Sequence, residues 1–242
     1  MEILGFLFRP IIGLRSYSGP LWLAQQDKDL AKRARKRCCP RRCPVHHQRP
    51  NAQPARTKAF FLYDVPSRTA CGLADETIAR LAELPRVIGL KDAAGDTARP
   101  ARLRSLLGTD FRLLCGDDAL ALPYLAEGGD GCISVTSNVA PGLCRSMFLA
   151  WKQGQSVRAQ RLARAAAPLT TALFREGNPV PVKYALALLG LMSPAVRLPL
   201  VELSPHLRTE LGEVLLRLCD EYSEYMIGNT LEGGEAKRAV AG

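Results

Sequence analysis

Hydrophobic and polar positions along this chain change rhythm at residue 59. From there, short apolar runs alternate with stretches whose apolar positions recur at helical spacing. The run over 59–65 (Ala-Phe-Phe-Leu-Tyr-Asp-Val) predicts a strand, closed by a Pro-Ser-Arg-Thr turn. Ile78, Leu81, Ala82 and Leu84 then recur at helical spacing, with Asp75 as the expected cap. Further strands are predicted at 87–90, 112–115 and 132–136, and helices at 98–107, 118–128 and 141–154. Gly108 ends the 98–107 helix, and Pro123 should kink the 118–128 helix or shift its start. Four strand–helix alternations, with strands apolar on both faces, predict an α/β fold whose parallel sheet is covered by helices. Beyond 155 the period is helical throughout, at 157–174, 181–191 and 204–222. Ser204 should cap the last of these, with Pro205 at its first helical position. Residues 223–242 are expected to fray.

Residues 1–58 keep no sustained period, and 28–58 is rich in Arg, Pro and Cys with too little apolar content for a core. The expected organisation is therefore a basic segment at 1–58, βα units at 59–154, a helical domain at 155–222 and a tail at 223–242. The formal charge of +10 follows the same boundary. Residues 1–58 hold 13 of the 33 Lys and Arg but 3 of the 23 Asp and Glu, and the remainder carries 20 of each. A neutral body lacks the clustered positive charge that phosphate binding needs, and no aromatic platform accompanies the Arg-rich segment, so no nucleic-acid partner is expected. Cys38, Cys39, Cys43, His46 and His47 offer zinc-type donors, but their spacing matches no common zinc signature, and no metal is expected. The composition of this stretch is also what a GC-rich gene gives when read out of frame.

No charge-free apolar run approaches the roughly 20 residues of a membrane span, so no membrane partner is expected. Ile3–Phe8 has neither the basic flank nor the small-residue cleavage site of a secretory signal. Cys71, Cys115, Cys132, Cys144 and Cys219 stand singly among apolar neighbours, the usage of a reduced cytoplasmic protein.

Candidate chemistry gathers at predicted strand ends. Lys91 closes the run Val-Ile-Gly-Leu. It reads as a surface lysine at a loop start, or as an amine whose desolvation lowers its pKa and leaves a neutral nucleophile for a ketone. Tyr63 lies one βα unit earlier and is either a rim aromatic or a proton shuttle beside that amine. Arg68, just beyond, is either solvent-exposed or a bidentate holder of a carboxylate. Gly116-Asp117-Asp118 reads first as a helix cap, and Gly128-Gly129-Asp130-Gly131 as a turn before a strand rather than a phosphate cradle. Four βα units fit either a doubly wound sheet or part of an eight-unit barrel.

Taken together, the motifs are more specific. Tyr63-Asp64-Val65-Pro66-Ser67-Arg68-Thr69, Gly89-Leu90-Lys91-Asp92-Ala93-Ala94-Gly95-Asp96, Cys115-Gly116-Asp117-Asp118 and Gly131-Cys132-Ile133-Ser134-Val135-Thr136-Ser137-Asn138 resemble the dihydrodipicolinate synthase family. Asn178-Pro179-Val180-Pro181-Val182-Lys183 resembles its C-terminal helical region. Asp64, where Asn is commoner, departs from the pattern.

The resemblance implies a (β/α)8 TIM barrel of which this chain supplies about the last four units. It implies a class I, Schiff-base-forming lyase that condenses pyruvate with L-aspartate 4-semialdehyde in lysine and diaminopimelate biosynthesis. Lys91 would form the imine with pyruvate, Tyr63 would relay protons, and Arg68 would bind the aldehyde's carboxylate. Ile133 would touch pyruvate through its backbone and Gly116 would line the site. No cofactor is implied, since the lysine imine is itself the electron sink, and a homo-oligomer (dimer or tetramer) is. No Gly-Thr-Thr-Gly-Glu-like segment, which in the family binds the pyruvate carboxylate, occurs in 1–58, so little activity is expected of the chain alone. The other readings are a related pyruvate aldolase, such as N-acetylneuraminate lyase, and a non-catalytic remnant that only oligomerises.

Overall fold

The computed structural model describes residues 59–226, in two compact units, 59–133 and 134–226. In the first, β1 (Phe60–Asp64), β2 (Val87–Asp92), β3 (Arg112–Cys115) and β4 (Gly131–Cys132) form one parallel sheet in sequence order. A single turn, α1 (Pro66–Thr69), and then α2 (Asp75–Ala82) connect β1 to β2. Helix α3 (Arg99–Leu107) connects β2 to β3, and a 3₁₀ turn (Asp118–Leu120) runs into α4 (Ala121–Ala126) before β4. This is the α/β alternation that the sequence pattern predicts. Leu62, Leu90, Leu113 and Cys115 project from one side of the sheet into a core shared with Ile78 and Leu103 of the helices. On the other side Phe61 lies across Gly89, where an added Cβ would run into its ring and stand 2.5 Å from the carbonyl oxygen of Arg112. Only glycine fits there.

The structure corrects several expected boundaries. Strand β2 continues to Asp92, because Lys91 is in register with Tyr63 of β1 and Leu114 of β3, so Lys91 lies inside the ladder rather than after it. Strand β4 stops at Cys132 instead of 136. The hydroxyl of Ser134 accepts the N–H of Ser137 at 2.8 Å, and local bonds of this kind draw the backbone out of the ladder into a 3₁₀ turn (Thr136–Asn138). Asp75 does not cap α2; Ala74 occupies the cap position, and the Asp75 carboxylate is bound by Arg99 at 2.8 Å and Arg102 at 2.9 Å. The helix expected at 118–128 is α-helical only over Ala121–Ala126. Pro123, lacking an N–H, fits in its first turn, and Gly128 (φ 94°) lies just past its end.

The second unit is helical, with α5 (Pro141–Lys152), α6 (Ser156–Leu173), α7 (Val180–Leu188) and α8 (Pro205–Glu221). Leu143, Leu169, Leu173, Leu211 and Leu215 are buried in it. Thr136 and Thr170 hydroxyls satisfy one another at 2.9 Å inside this apolar packing. Ser204 holds the extended cap geometry and Pro205 the first helical position, but the Ser204 side chain makes no cap hydrogen bond. Residues 223–226 are ordered rather than frayed: Ser223–Tyr225 forms a 3₁₀ turn, and a Cβ at Gly142 would stand 2.7 Å from the Cα of Tyr225. The candidate zinc donors Cys38, Cys39, Cys43, His46 and His47 and residues 227–242 lie outside the described residues. Among the described residues no helix is long and apolar enough to cross a membrane.

Candidate active site

Parallel register places Tyr63 opposite Lys91 and Asp64 opposite Asp92 at the C-terminal ends of β1 and β2. Because successive side chains alternate across a sheet, Tyr63 and Lys91 share one face and Asp64 and Asp92 the other. The two half-buried side chains of the first face touch, with Lys91 Nζ 4.4 Å from the centroid of the Tyr63 ring. Gly116 follows β3, and a Cβ there would come within 3.2 Å of Lys91 Cε and 2.9 Å of Ala93 Cβ. The absence of a side chain thus lets the backbone approach the lysine stem.

Backbone bonds continue the ladder past the strand ends. Ala93 N–H donates to Asp64 O at 2.8 Å, Gly116 N–H to Asp92 O at 2.6 Å, and Ile133 N–H to Cys115 O at 2.8 Å. These bonds bring Lys91, Gly116 and Ile133 to the same end of the sheet. Arg68 sits in α1, exposed to solvent, and its charge acts on Lys91 from there.

Burial is the largest influence on Lys91 and pushes its amine below the ordinary lysine value. The Cys132 thiol and the Asp118 carboxyl work against this, while the Arg68 guanidinium reinforces it. The tyrosine face also favours the ammonium form, by about 0.5–2 kcal/mol for such cation–π contacts. Desolvation outweighs the charges around the amine, so burial favours its uncharged form.

Sequence reasoning missed what stands on the opposite face. Arg99, at the start of α3, is only 4 % exposed, yet it is surrounded by acids. Its Nη1 contacts Asp64 at 2.7 Å and Asp92 at 3.3 Å, its Nε donates to Asp75 at 2.8 Å, and its Nη2 donates to the carbonyl of Leu73. Asp64 also accepts the N–H of Leu73 on both oxygens, at 3.2 Å each. Burial raises the Asp92 carboxyl above the usual range against the pull of the Ala94 N–H and Arg99, and its Oδ2 has no hydrogen-bond partner among the described residues. Burial opposes the charged form of Arg99 too, but Asp64, Asp92 and Asp75 more than compensate. The one sequence signal for this cluster was Asp64, whose carboxylate differs from the commoner amide. Asp118 and Cys132 stood within the family-like motifs, but nothing in the sequence tied their charges to Lys91.

A model of the Dihydrodipicolinate synthetase family matches residues 46–217. The chain belongs to this family. The family's 4-hydroxy-tetrahydrodipicolinate synthase from Thiobacillus denitrificans is 50% identical over 145 residues, which cover 60% of this chain and 49% of that protein. The solved 4-hydroxy-tetrahydrodipicolinate synthase from the methanotroph Methylacidiphilum fumariolicum SolV superposes with a TM-score of 0.66 at 36% identity, covering 69% of this chain and 56% of that one. The chloride-inhibited dihydrodipicolinate synthase from Acinetobacter baumannii, solved with pyruvate, gives a TM-score of 0.62 at 38% identity and covers 65% of this chain and 54% of that one. The chain spans about half the length of the curated relatives it matches. Its four βα units correspond to part of the family's TIM barrel, as the motifs implied, and the doubly wound alternative falls away.

Proposed function

We propose that this chain carries the imine-forming half of a 4-hydroxy-tetrahydrodipicolinate synthase site, with pyruvate as the carbonyl substrate. The observation that carries the reading is the desolvated Lys91 amine held 4.4 Å from the centre of the Tyr63 ring at the C-terminal end of a parallel sheet. Active sites of (β/α)8 barrels lie at that end.

In this reading the neutral Lys91 amine attacks the ketone carbon of pyruvate. The carbonyl oxygen is protonated and leaves as water, and the imine forms. Loss of a methyl proton then gives the enamine, whose carbon attacks the aldehyde of L-aspartate 4-semialdehyde. Tyr63 serves as the proton relay, since its phenol can give and take back a proton beside the amine. Arg68, exposed in α1, holds the aldehyde's carboxylate through its planar fork. Gly116, whose backbone approaches the Lys91 stem, lines the site in this reading, and the backbone of Ile133 touches pyruvate. The lysine imine is the electron sink, so the reading requires no cofactor. The same reading takes the chain to form a homo-oligomer, which size-exclusion chromatography with light scattering measures directly.

Borohydride reduction in the presence of pyruvate tests it, followed by peptide mass analysis. The expected result is a reduced pyruvate adduct on Lys91, depleted when aspartate semialdehyde is added and unchanged by N-acetylmannosamine. Depletion by N-acetylmannosamine instead would assign the chain to the neuraminate-lyase type of aldolase. A folded chain that forms no adduct at Lys91 would sink the aldolase reading altogether.

A further inference from the structure

We propose that Arg99 is a positioning residue for Lys91 and Tyr63, tying the ends of β1 and β2 together from the face opposite the two side chains. The proposal rests on the reading of Lys91 as the imine-forming amine. The geometry behind it is a one-residue offset. Asp64 follows Tyr63, Asp92 follows Lys91, and the two acids are register partners just as Tyr63 and Lys91 are. One nitrogen of Arg99 touches both acids, at 2.7 Å and 3.3 Å, so a single planar group spans the two strands beside the reactive pair.

The guanidinium is itself held. Its Nε is bound by Asp75, the first residue of α2, at 2.8 Å, and its Nη2 by the carbonyl of Leu73 in the β1–α2 connection. Arg99 therefore joins β1, β2 and the start of α2 from its place at the start of α3. Arginine suits this task because its donors point in fixed directions, whereas a lysine ammonium offers one compact charge.

Stability alone is a poor reason for such a cluster. Burying Arg99 with Asp64 and Asp92, each under 5 % exposed, incurs desolvation that apolar side chains of the same volume would avoid. A clamp does gain from it. A slip of one residue between β1 and β2 would exchange Lys91 for its neighbour on the reactive face, and charge pairing at both strand ends opposes that slip.

Competitive labelling of lysine amines in the full chain tests the clamp without pyruvate. Trinitrobenzenesulfonate is reacted across an alkaline pH series, and Lys91 is compared by peptide mass analysis with exposed Lys152. Arg99→Met is expected to move the Lys91 labelling midpoint up by about one pH unit, so that labelling at a fixed pH below it falls about tenfold as water reaches the amine. Asp92→Ala is expected to move it up as well. The second variant separates position from charge. Removing Arg99 makes the cluster more negative and removing Asp92 makes it less negative, so a field effect alone would shift the midpoints in opposite directions and overturn the proposal. Leu103→Ala weakens packing from the same helix without removing a member of the charged cluster, and should leave the midpoint where it is. An equal shift in that variant would reduce Arg99 to a merely structural residue. Where Arg99→Met does not fold, Arg99→Lys keeps one cation among the acids and is read the same way; an unmoved midpoint rejects the clamp. If Lys91 labelling responds as expected but pyruvate is not trapped, the aldolase reading fails and the clamp stands.

Discussion

The ends of β1 and β2 present two faces that differ by one residue in sequence and are opposite in chemical kind. On one, Tyr63 and Lys91 meet through an amine over an aromatic ring, and burial disfavours the lysine charge. On the other, Asp64, Asp92 and Arg99 are closely paired by ionic contacts of 2.7 Å and 3.3 Å. The acids next in sequence to Tyr63 and Lys91 are therefore turned away from the amine by the pleat and paired with an arginine. Low solvation and the diversion of neighbouring acids both favour a reactive amine, and the register keeps Asp64 and Asp92 off its face.

The comparison can be broken most severely at its reactive member. Lys91→Ala should abolish borohydride trapping of pyruvate, reducing the adduct to background, while far-UV circular dichroism shows the fold retained. Next in size is the opposite face. Arg99→Met leaves Asp64 and Asp92 buried without their cation and should cost about 3–5 kcal/mol, read as a lower urea midpoint. Tyr63→Phe removes only the phenolic hydroxyl and keeps the ring. If the tyrosine relays protons, imine formation should slow by about 10²-fold, measured by quenched trapping, with little change in urea midpoint. Gly89→Ala forces a methyl against Phe61 beneath the reactive pair and should cost about 1–3 kcal/mol.

The smallest effect lies in pH dependence. The folded pKa of Lys91 lies below its unfolded value of about 10.4, so between the two the unfolded chain binds more protons. The Lys91 contribution to stability therefore rises with pH through that window, and the penalty of burying the ammonium is full below it. The stability advantage of Lys91→Met over the native chain should accordingly shrink as pH rises from neutrality towards 10. An advantage that is flat or growing would mean that Lys91 is not desolvated. Trapping of pyruvate by the native chain should rise over the same range.

Much of the reactive face was legible in the sequence because it depends on local order. The apolar run ending at Tyr63 and the run ending at Lys91 each announce a strand. Their spacing of one βα unit makes them neighbours in a parallel sheet, and the surrounding motifs resemble one family. The opposite face was not legible. Arg99 stands in a polar stretch, Arg-Pro-Ala-Arg-Leu-Arg, where period and composition predict an ordinary solvent-exposed helix start. Its burial arises from contacts with Asp64 and Asp92, 35 and 7 residues away in the chain. Asp75 was misplaced for the same reason. An acid at the head of a helix is a good local cap, but two arginines from α3 and its first turn bind it more strongly than the backbone N–H groups do. The early end of β4 had a local cause, Ser134 bonding to Ser137, that competes with strand formation too evenly for pattern to decide.

By itself, the sequence determined the α/β alternation, the family, and which residues could supply an amine, a phenol and a guanidinium, because these follow from side-chain type and short-range period. Only the tertiary structure decided that β2 extends through Lys91, that the amine lies on the tyrosine ring, and that Asp64 and Asp92 meet Arg99 on the opposite face. Each of these is a matter of register between segments distant in the chain. Register is fixed by packing and hydrogen bonding across strands, and no local pattern encodes it.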